Sequence, residues 1–268
     1  MDQLPLYQVD AFTDKLFKGN PAAVCPLEAW LPDSLMQDIA AENNLAETAF
    51  FVKTDDQFEL RWFTPLVEVD LCGHATLAAA HVLYEHLDYD AASIAFQSKN
   101  SGLLTVSKNN GALILNFPAD ELAPCQAPGL LQESLGVEIL ECAKGKTDYL
   151  VRVEDQDALD SISPDFRTLS TLPVRGVIVT CPGETYDFAS RFFAPASGVD
   201  EDPVTGSAHT TLVPYWANET GKTVFTAQQR SKREGILQCR LEADRVKISG
   251  KARTYLAGHI HIETQHDE

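Results

Sequence analysis

Residues 61–83 read RWFTPLVEVDLCGHATLAAAHVL, and residues 191–213 read RFFAPASGVDEDPVTGSAHTTLV. At a constant offset of 130, residues 61–70 and 191–200 share Arg, Phe, Pro, Val and Asp. Three extra residues in the second copy then align Cys72, Gly73, His74 and Ala75 with Thr205, Gly206, Ser207 and Ala208. Each copy reads as a strand, a turn, a glycine corner and an apolar run of helical character, in that order. Two unrelated strand-turn-helix units converging on these residues is the weaker account. The chain reads as one domain duplicated.

Length and composition fit this. The 268 residues suit two domains of ordinary size. The 44% hydrophobic and 22% charged fractions are those of a globular protein able to bury a real core. A net charge of −18 repels phosphate backbones and argues against nucleic-acid binding. It leaves room for a small anionic substrate, because helix N-termini make locally positive sites inside an acidic shell. None of the six cysteines forms a C-x-x-C pair, so no zinc ribbon or dithiol redox site is expected, and most read as buried and reduced. MDQLPLYQVD has neither the basic start nor the apolar core of a signal peptide, and no apolar run reaches membrane-spanning length. A cytoplasmic protein without membrane contact is expected.

Short alternating or apolar runs such as 5–12, 47–52, 58–63, 93–98 and 111–117 predict strands. Helices are predicted over 33–42, capped by Asp33 or Ser34, and over 74–87, 127–136 and 206–219. Residues 116–129 carry three prolines and resemble a linker. The expected domains are 1–117 and 118–268, with the last strand free to pack back on the first. Strands and helices do not alternate strictly, so the fold class is α+β.

Glycine at a helix start allows close approach, and the first turn offers unpaired amides and the positive end of the dipole. Either glycine alone could simply be a turn residue; the pairing of Gly73 with Gly206 favours an anion site. The corners differ in polar residues: Cys72 and His74 in the first, Glu201, Asp202, Thr205 and Ser207 in the second. Upstream, Glu47 opens a strand among Leu45, Ala46, Ala49 and Phe50, and the offset of 130 sets Val177 opposite it. Apolar neighbours raise a carboxylate's pKa towards what a general acid/base needs. Glu47 reads equally well as that group or as an exposed strand start.

Four motifs, QVDAFT with GNPAAV (8–24), NNLAETAFF (43–51), WFTPLVEVDLCGHATLAAAHVL (62–83) and GVDEDPVTGSAH (198–209), resemble the PhzF-like family, named for the isomerase of phenazine biosynthesis. More distantly the chain resembles the diaminopimelate-epimerase-like fold. The resemblance implies two similar domains, each a sheet curled around a central helix, with the active site in the cleft between them. It also implies a homodimer, no cofactor and no metal. Its catalytic glutamate falls on Glu47, its histidine on His74, its aspartate on Asp202 and its serine on Ser207. Asn20, Gly73 and Gly206 match positions near substrate. Distant relatives carry a cysteine at each corner and racemise with both; here the second is Thr205, whose hydroxyl does not ionise usefully.

The expected chemistry is a double-bond shift by one carboxylate. An epimerase or racemase, and a non-catalytic metabolite-binding protein, are the alternatives. A Ser207–His209–Asp202 hydrolase triad is disfavoured, because residues two apart on a helix do not face each other. His259 and His261 share a strand face as metal ligands could, but lack a nearby acidic or cysteine partner.

Overall fold

The computed structural model describes residues 2–263. In chain order the elements are β1 (Asp2–Ala11), β2 (Asn20–Leu27), α1 (Asp33–Asn43), β3 (Glu47–Lys53), β4 (Phe58–Phe63), β5 (Glu68–Val69) and α2 (Gly73–His86). They continue with β6 (Ser93–Ser98), β7 (Gly102–Asn109), β8 (Ala112–Pro118), β9 (Ala123–Pro124), α3 (Gly129–Leu135), β10 (Glu141–Lys144) and β11 (Asp148–Arg152). Then follow α4 (Gln156–Ser161), α5 (Phe166–Leu169), β12 (Gly176–Pro182), β13 (Phe188–Phe193), a 3₁₀ turn (Pro195–Ser197) and α6 (Gly206–Thr220). The last elements are β14 (Val224–Gln229), β15 (Gly235–Glu242), β16 (Arg245–Gly250) and β17 (Ala252–Ile262).

Two compact units result. One comprises the chain up to Phe17, Pro21–Leu115, and the chain from Lys251; the other comprises Lys18–Asn20 and Asn116–Gly250. The chain thus changes unit at residue 116, strand β17 returns to the first unit, and the short Lys18–Asn20 segment belongs to the second.

The duplication is visible in strand directions. In the first unit β2–β3 is parallel, β3–β4 antiparallel, β4–β6 parallel, and β6–β7 and β7–β8 antiparallel. In the second, β11–β12, β12–β13, β13–β14, β14–β15 and β15–β16 repeat that series in the same order. The repeated arginines also do the same job. Arg61 lies over Phe63 and forks onto Glu68; Arg191 lies over Phe193 and forks onto Glu201.

Each unit buries one helix. Every residue of α2 from Gly73 to Ala80 is buried, and the helix packs on β1, β3 and β17. Leu77, Val82 and Leu83 are at most 2% exposed, and each such side chain contributes about 1.5–3 kcal/mol of burial. The counterpart α6 packs on β15 and β16. Its internal Pro214 lacks an amide, which frees the Thr210 carbonyl; the Asp120 amide takes it up at 3.0 Å.

A second layer covers the outer face. Phe50 and Val52 of β3 pack with Met36 and Ile39 of α1, while Val177, Val179 and Cys181 of β12 pack with Leu131, Leu135 and Leu159. β3 and β12 are therefore buried on both faces, which explains their continuous apolar runs. Helix α1 begins at Asp33, but Pro32 is its N-cap and no side chain caps it; Asp33 instead pairs with Arg61 at 2.9 Å. The helices α4 and α5 fall where no helix was expected, each capped by an aspartate, Asp155 and Asp165. Among the cysteines, Cys25, Cys72, Cys181 and Cys239 are buried and all six are free.

Register corrects one reading of the duplication. Phe63 and Phe193 are equivalent at offset 130, and their cross-strand partners are Thr48 and Val177. Thr48 is therefore the counterpart of Val177, and Glu47 that of Gly176. A slip of one residue in a strand exchanges its faces. Val177 points into the outer cluster, whereas Glu47 and Gly176 share the parity of the inner, helix-facing side. Gly176 has no room for a side chain: an added Cβ would lie 2.5 Å from the Phe192 ring and 2.9 Å from the Phe193 carbonyl. Gly176→Ala should cost about 1–3 kcal/mol through overpacking. Urea denaturation checks this, and an unchanged midpoint would count against the register.

Candidate active site

In the first unit the site begins where α1 ends. Asn44 adopts a left-handed conformation (φ 49°), which asparagine tolerates better than most residues, and its amide caps Ala40. Asn43 then donates to Thr48 Oγ1 at 3.1 Å, fixing the entry into β3. Glu47, the first residue of β3, sits beside Ala22 in the parallel ladder. Its carboxylate reaches His74 Nε2 at 3.1 Å, with side chains 16% and 4% exposed. Glu47 thus has an imidazole for a neighbour, in place of the purely apolar surroundings its sequence context suggested.

His74 is the second residue of α2, and its Nδ1 lies 3.4 Å from Cys72 Sγ. Burial disfavours a charged ring here, but the Cys72 sulfur as hydrogen-bond acceptor and the Glu47 carboxylate outweigh it and hold the His74 pKa well above the ordinary value. A doubly protonated ring donates on both sides, to the carboxylate and to the sulfur. Burial, then the nearby Glu47 charge, push the Cys72 thiol up to about 11, so it stays neutral. Glu47, Cys72 and His74 are the group of possible metal ligands found among the described residues. Their ligand atoms lie within 4.8 Å of one another, and the imidazole meets the carboxylate through Nε2 and the sulfur through Nδ1. Cys72 is the N-cap of α2 and makes no side-chain capping bond.

The second unit gathers Asn20, Asp202, Thr205 and Ser207. Asn20 Nδ2 donates to Asp202 Oδ1 at 2.7 Å and to the Val204 carbonyl at 3.0 Å. Thr205 Oγ1 donates to Asp202 Oδ2 at 2.5 Å. Gln229, 1% exposed, ties the corner together: it accepts from the Thr205 amide at 2.7 Å and donates to the Asp202 carbonyl at 2.8 Å. Both carboxylate oxygens of Asp202 are thereby oriented. Thr205 precedes Gly206 as the N-cap of α6 without a capping bond, its hydroxyl being spent on Asp202. Ser207 Oγ accepts from Arg175 at 3.0 Å.

The disfavoured triad meets contrary geometry. His209 Nδ1 bonds the Thr205 carbonyl at 2.9 Å, and burial lowers its pKa to about 4; it is a core histidine, 0% exposed, and not a partner of Ser207. His259 and His261 lie exposed on one face of β17. Sequence reasoning missed Gln229, Arg175 and Asp148. Gln229 carried no motif, but Arg175 had a signal: it is the charge immediately before the strand equivalent to that of Glu47.

A duplicated sheet curled on a buried helix, with polar residues at each helix start, defines the class: an epimerase-like α+β fold. A structure described as a predicted epimerase from Pseudomonas aeruginosa shares that fold, with TM-score 0.77, 18% identity, and 97% of this chain and 100% of that one covered. The family model of phenazine biosynthesis-like proteins (PhzC-PhzF) matches residues 9–258. An uncharacterized isomerase of Pseudomonas aeruginosa is 52% identical over 260 residues, 97% of this chain and 100% of its own. The crystal structure of a PhzF-family phenazine biosynthesis protein from Enterococcus faecalis superimposes with TM-score 0.94 at 43% identity, covering 97% and 100%. The chain belongs to the PhzF-like family and is an enzyme of the isomerase and epimerase class. No helix among the described residues is long and apolar enough to cross a membrane.

The Glu47–His74 pair has a defined pH dependence. A raised folded-state pKa for His74 means that its stabilisation is complete below the ordinary histidine range and fades as pH rises through the folded value. Nitrogen NMR at neutral pH should find both His74 nitrogens protonated. Glu47→Gln should move the titration downwards, and a titration unmoved by that change would contradict the pairing.

Proposed function

We propose that the protein is a cofactor-independent isomerase of small carboxylic or amino acids, with Glu47 as its single general acid/base. Glu47 takes a proton from a carbon beside an activating group and returns it elsewhere on the same allylic system, shifting the double bond. The proton and electron count is conserved, so no redox partner is required. His74 orients the carboxylate and moderates its charge. Asp202, held by Asn20, and Ser207 engage the substrate's polar groups, and the amides at Gly73 and Gly206 help bind its carboxylate and the charge that develops.

The observation carrying this reading is the asymmetry of the two corners. Two-base racemisation needs an ionisable group on each, and neither duplicated position supplies one. The thiol of Cys72 is held neutral by burial, and Thr205 uses its hydroxyl on Asp202. Glu47 has no counterpart, since Gly176 stands at its register position. One base working on one face returns an isomer more readily than an inverted centre. The isomerase names of the relatives point the same way.

The test is exchange in heavy water, read by NMR on a panel of small unsaturated and amino acids. Wild type should wash deuterium into an allylic or α position of at least one acid. General acid/base help is worth ~10²–10⁴-fold, so Glu47→Gln should slow exchange by at least about a hundredfold while remaining folded. Exchange at the wild-type rate in that variant would remove Glu47 from the mechanism. A panel left wholly unlabelled by wild type would count against the isomerase reading.

A further inference from the structure

The second unit sets a cation where the first sets Glu47. In the first, the strand's opening residue reaches the second residue of the central helix, Glu47 to His74. In the second, Gly176 brings no side chain to that place, which Phe192 and the Phe193 carbonyl crowd, and the preceding residue, Arg175, reaches the second residue of α6, Ser207.

We propose that Arg175 is a substrate-positioning residue: held by Asp148, it sets the Ser207 hydroxyl and presents its charge to the substrate's carboxylate. The proposal rests on the reading of Ser207 as a substrate ligand.

The guanidinium is held by Asp148, Phe192 and Ser207. Arg175 Nε donates to Asp148 Oδ1 at 2.9 Å, and Nη2 donates to Oδ2. Its plane lies over the Phe192 ring, Cζ to centroid 5.3 Å. The Arg175 amide bonds the Thr147 carbonyl at 2.8 Å, so strand entry and anchor are tied together. Asp148 is the buried partner, with its side chain 2% exposed, while that of Arg175 is 35% exposed. The acid is thus an internal anchor, and the cation turns its remaining edge outwards. Burial works against the charge, but the Asp148 hydrogen bonds and charge more than restore it.

The Ser207 contact distinguishes this from an ordinary ion pair. A guanidinium carries more N–H donors than Asp148 and Ser207 take up, and all of its hydrogens are donors. Ser207 Oγ must therefore accept from Nη1 and direct its own hydrogen elsewhere. A carboxylate satisfies both groups, one oxygen taking the hydroxyl and the other a guanidinium hydrogen. Such charge-assisted bonds are about twice as strong as neutral ones. The chemistry selects an acid over its amide.

The probe is cyclohex-1-ene-1-carboxylate, with its primary amide as the neutral match, and calorimetry measures both affinities. Wild type should prefer the acid by about tenfold or more. Arg175→Gln should bring the ratio close to one, and Arg175→Lys should restore part of it. Because Arg175→Gln leaves a buried Asp148 charge, the double change Arg175→Gln with Asp148→Asn supplies a variant without an orphaned carboxylate. It too should lose the preference. Glu47→Gln should keep the preference while losing exchange, so this proposal and the isomerase reading fail separately. A wild type indifferent to acid or amide, or a folded Arg175 variant with the full preference, overturns the role of Arg175.

Discussion

The structure of each half depends on burying a whole helix. Helix α2 has no polar side to leave in water over Gly73–Ala80, so strands and a returning β17 must surround it. Ala75, Ala78, Ala79 and Ala80 keep the helix thin enough for the sheet to close on it. Surrounding a helix brings its first turn under cover as well, where the orphan amides and the positive dipole end need an answer. Neither Cys72 nor Thr205 provides a cap. In the first half Glu47, presented by β3, reaches the second residue of that turn; in the second, polar groups around Asp202 and Ser207 gather instead. The buried helix thus creates the polar corner.

The two halves answer the same geometry with opposite charges. At the parity of the inner sheet face, the first carries a carboxylate next to an imidazole. The second carries no side chain at that register position, because Phe192 and the Phe193 carbonyl fill the space. The polar role moves one residue back, to Arg175, with Asp148 buried behind it. A duplication gives two equivalent frames, and the crowding of Phe192 against Gly176 goes with a difference in the chemistry each frame can hold.

Much of this was legible in the sequence, because duplication left matched residues whose spacing could be counted. The central helices, the α+β class and the glycine corners followed from helical runs and from Arg, Phe, Pro, Val and Asp repeating in step. The alignment of Glu47 with Val177 was off by one, since an offset carried back from 61–70 ignores the length of the loops before it; only cross-strand pairing fixes which face a residue takes. Gln229 and Asp148 were invisible for another reason. Their importance lies in partners far away in sequence, Thr205 and Asp202 for one, Arg175 for the other. Propensity and periodicity report on a residue's own segment and not on such partners.

Thr205 shows how much chemistry one atom decides. A thiol there could ionise and act on carbon; a hydroxyl at that place can only donate or accept. Its proton goes to Asp202 Oδ2, whose other oxygen is held by Asn20, itself 0% exposed. A cysteine donates more weakly and over a longer distance, so it would hold Asp202 less firmly. The hydroxyl therefore exchanges a second acid/base for a fixed carboxylate. Cys72 keeps the sulfur but sits between burial and the Glu47 charge, both of which oppose a thiolate. With both duplicated positions silent as bases, proton transfer in the proposed reaction falls to the carboxylate that the duplication did not copy. In that proposal the carboxylate works from one side only, which favours moving a proton along a face over carrying it across.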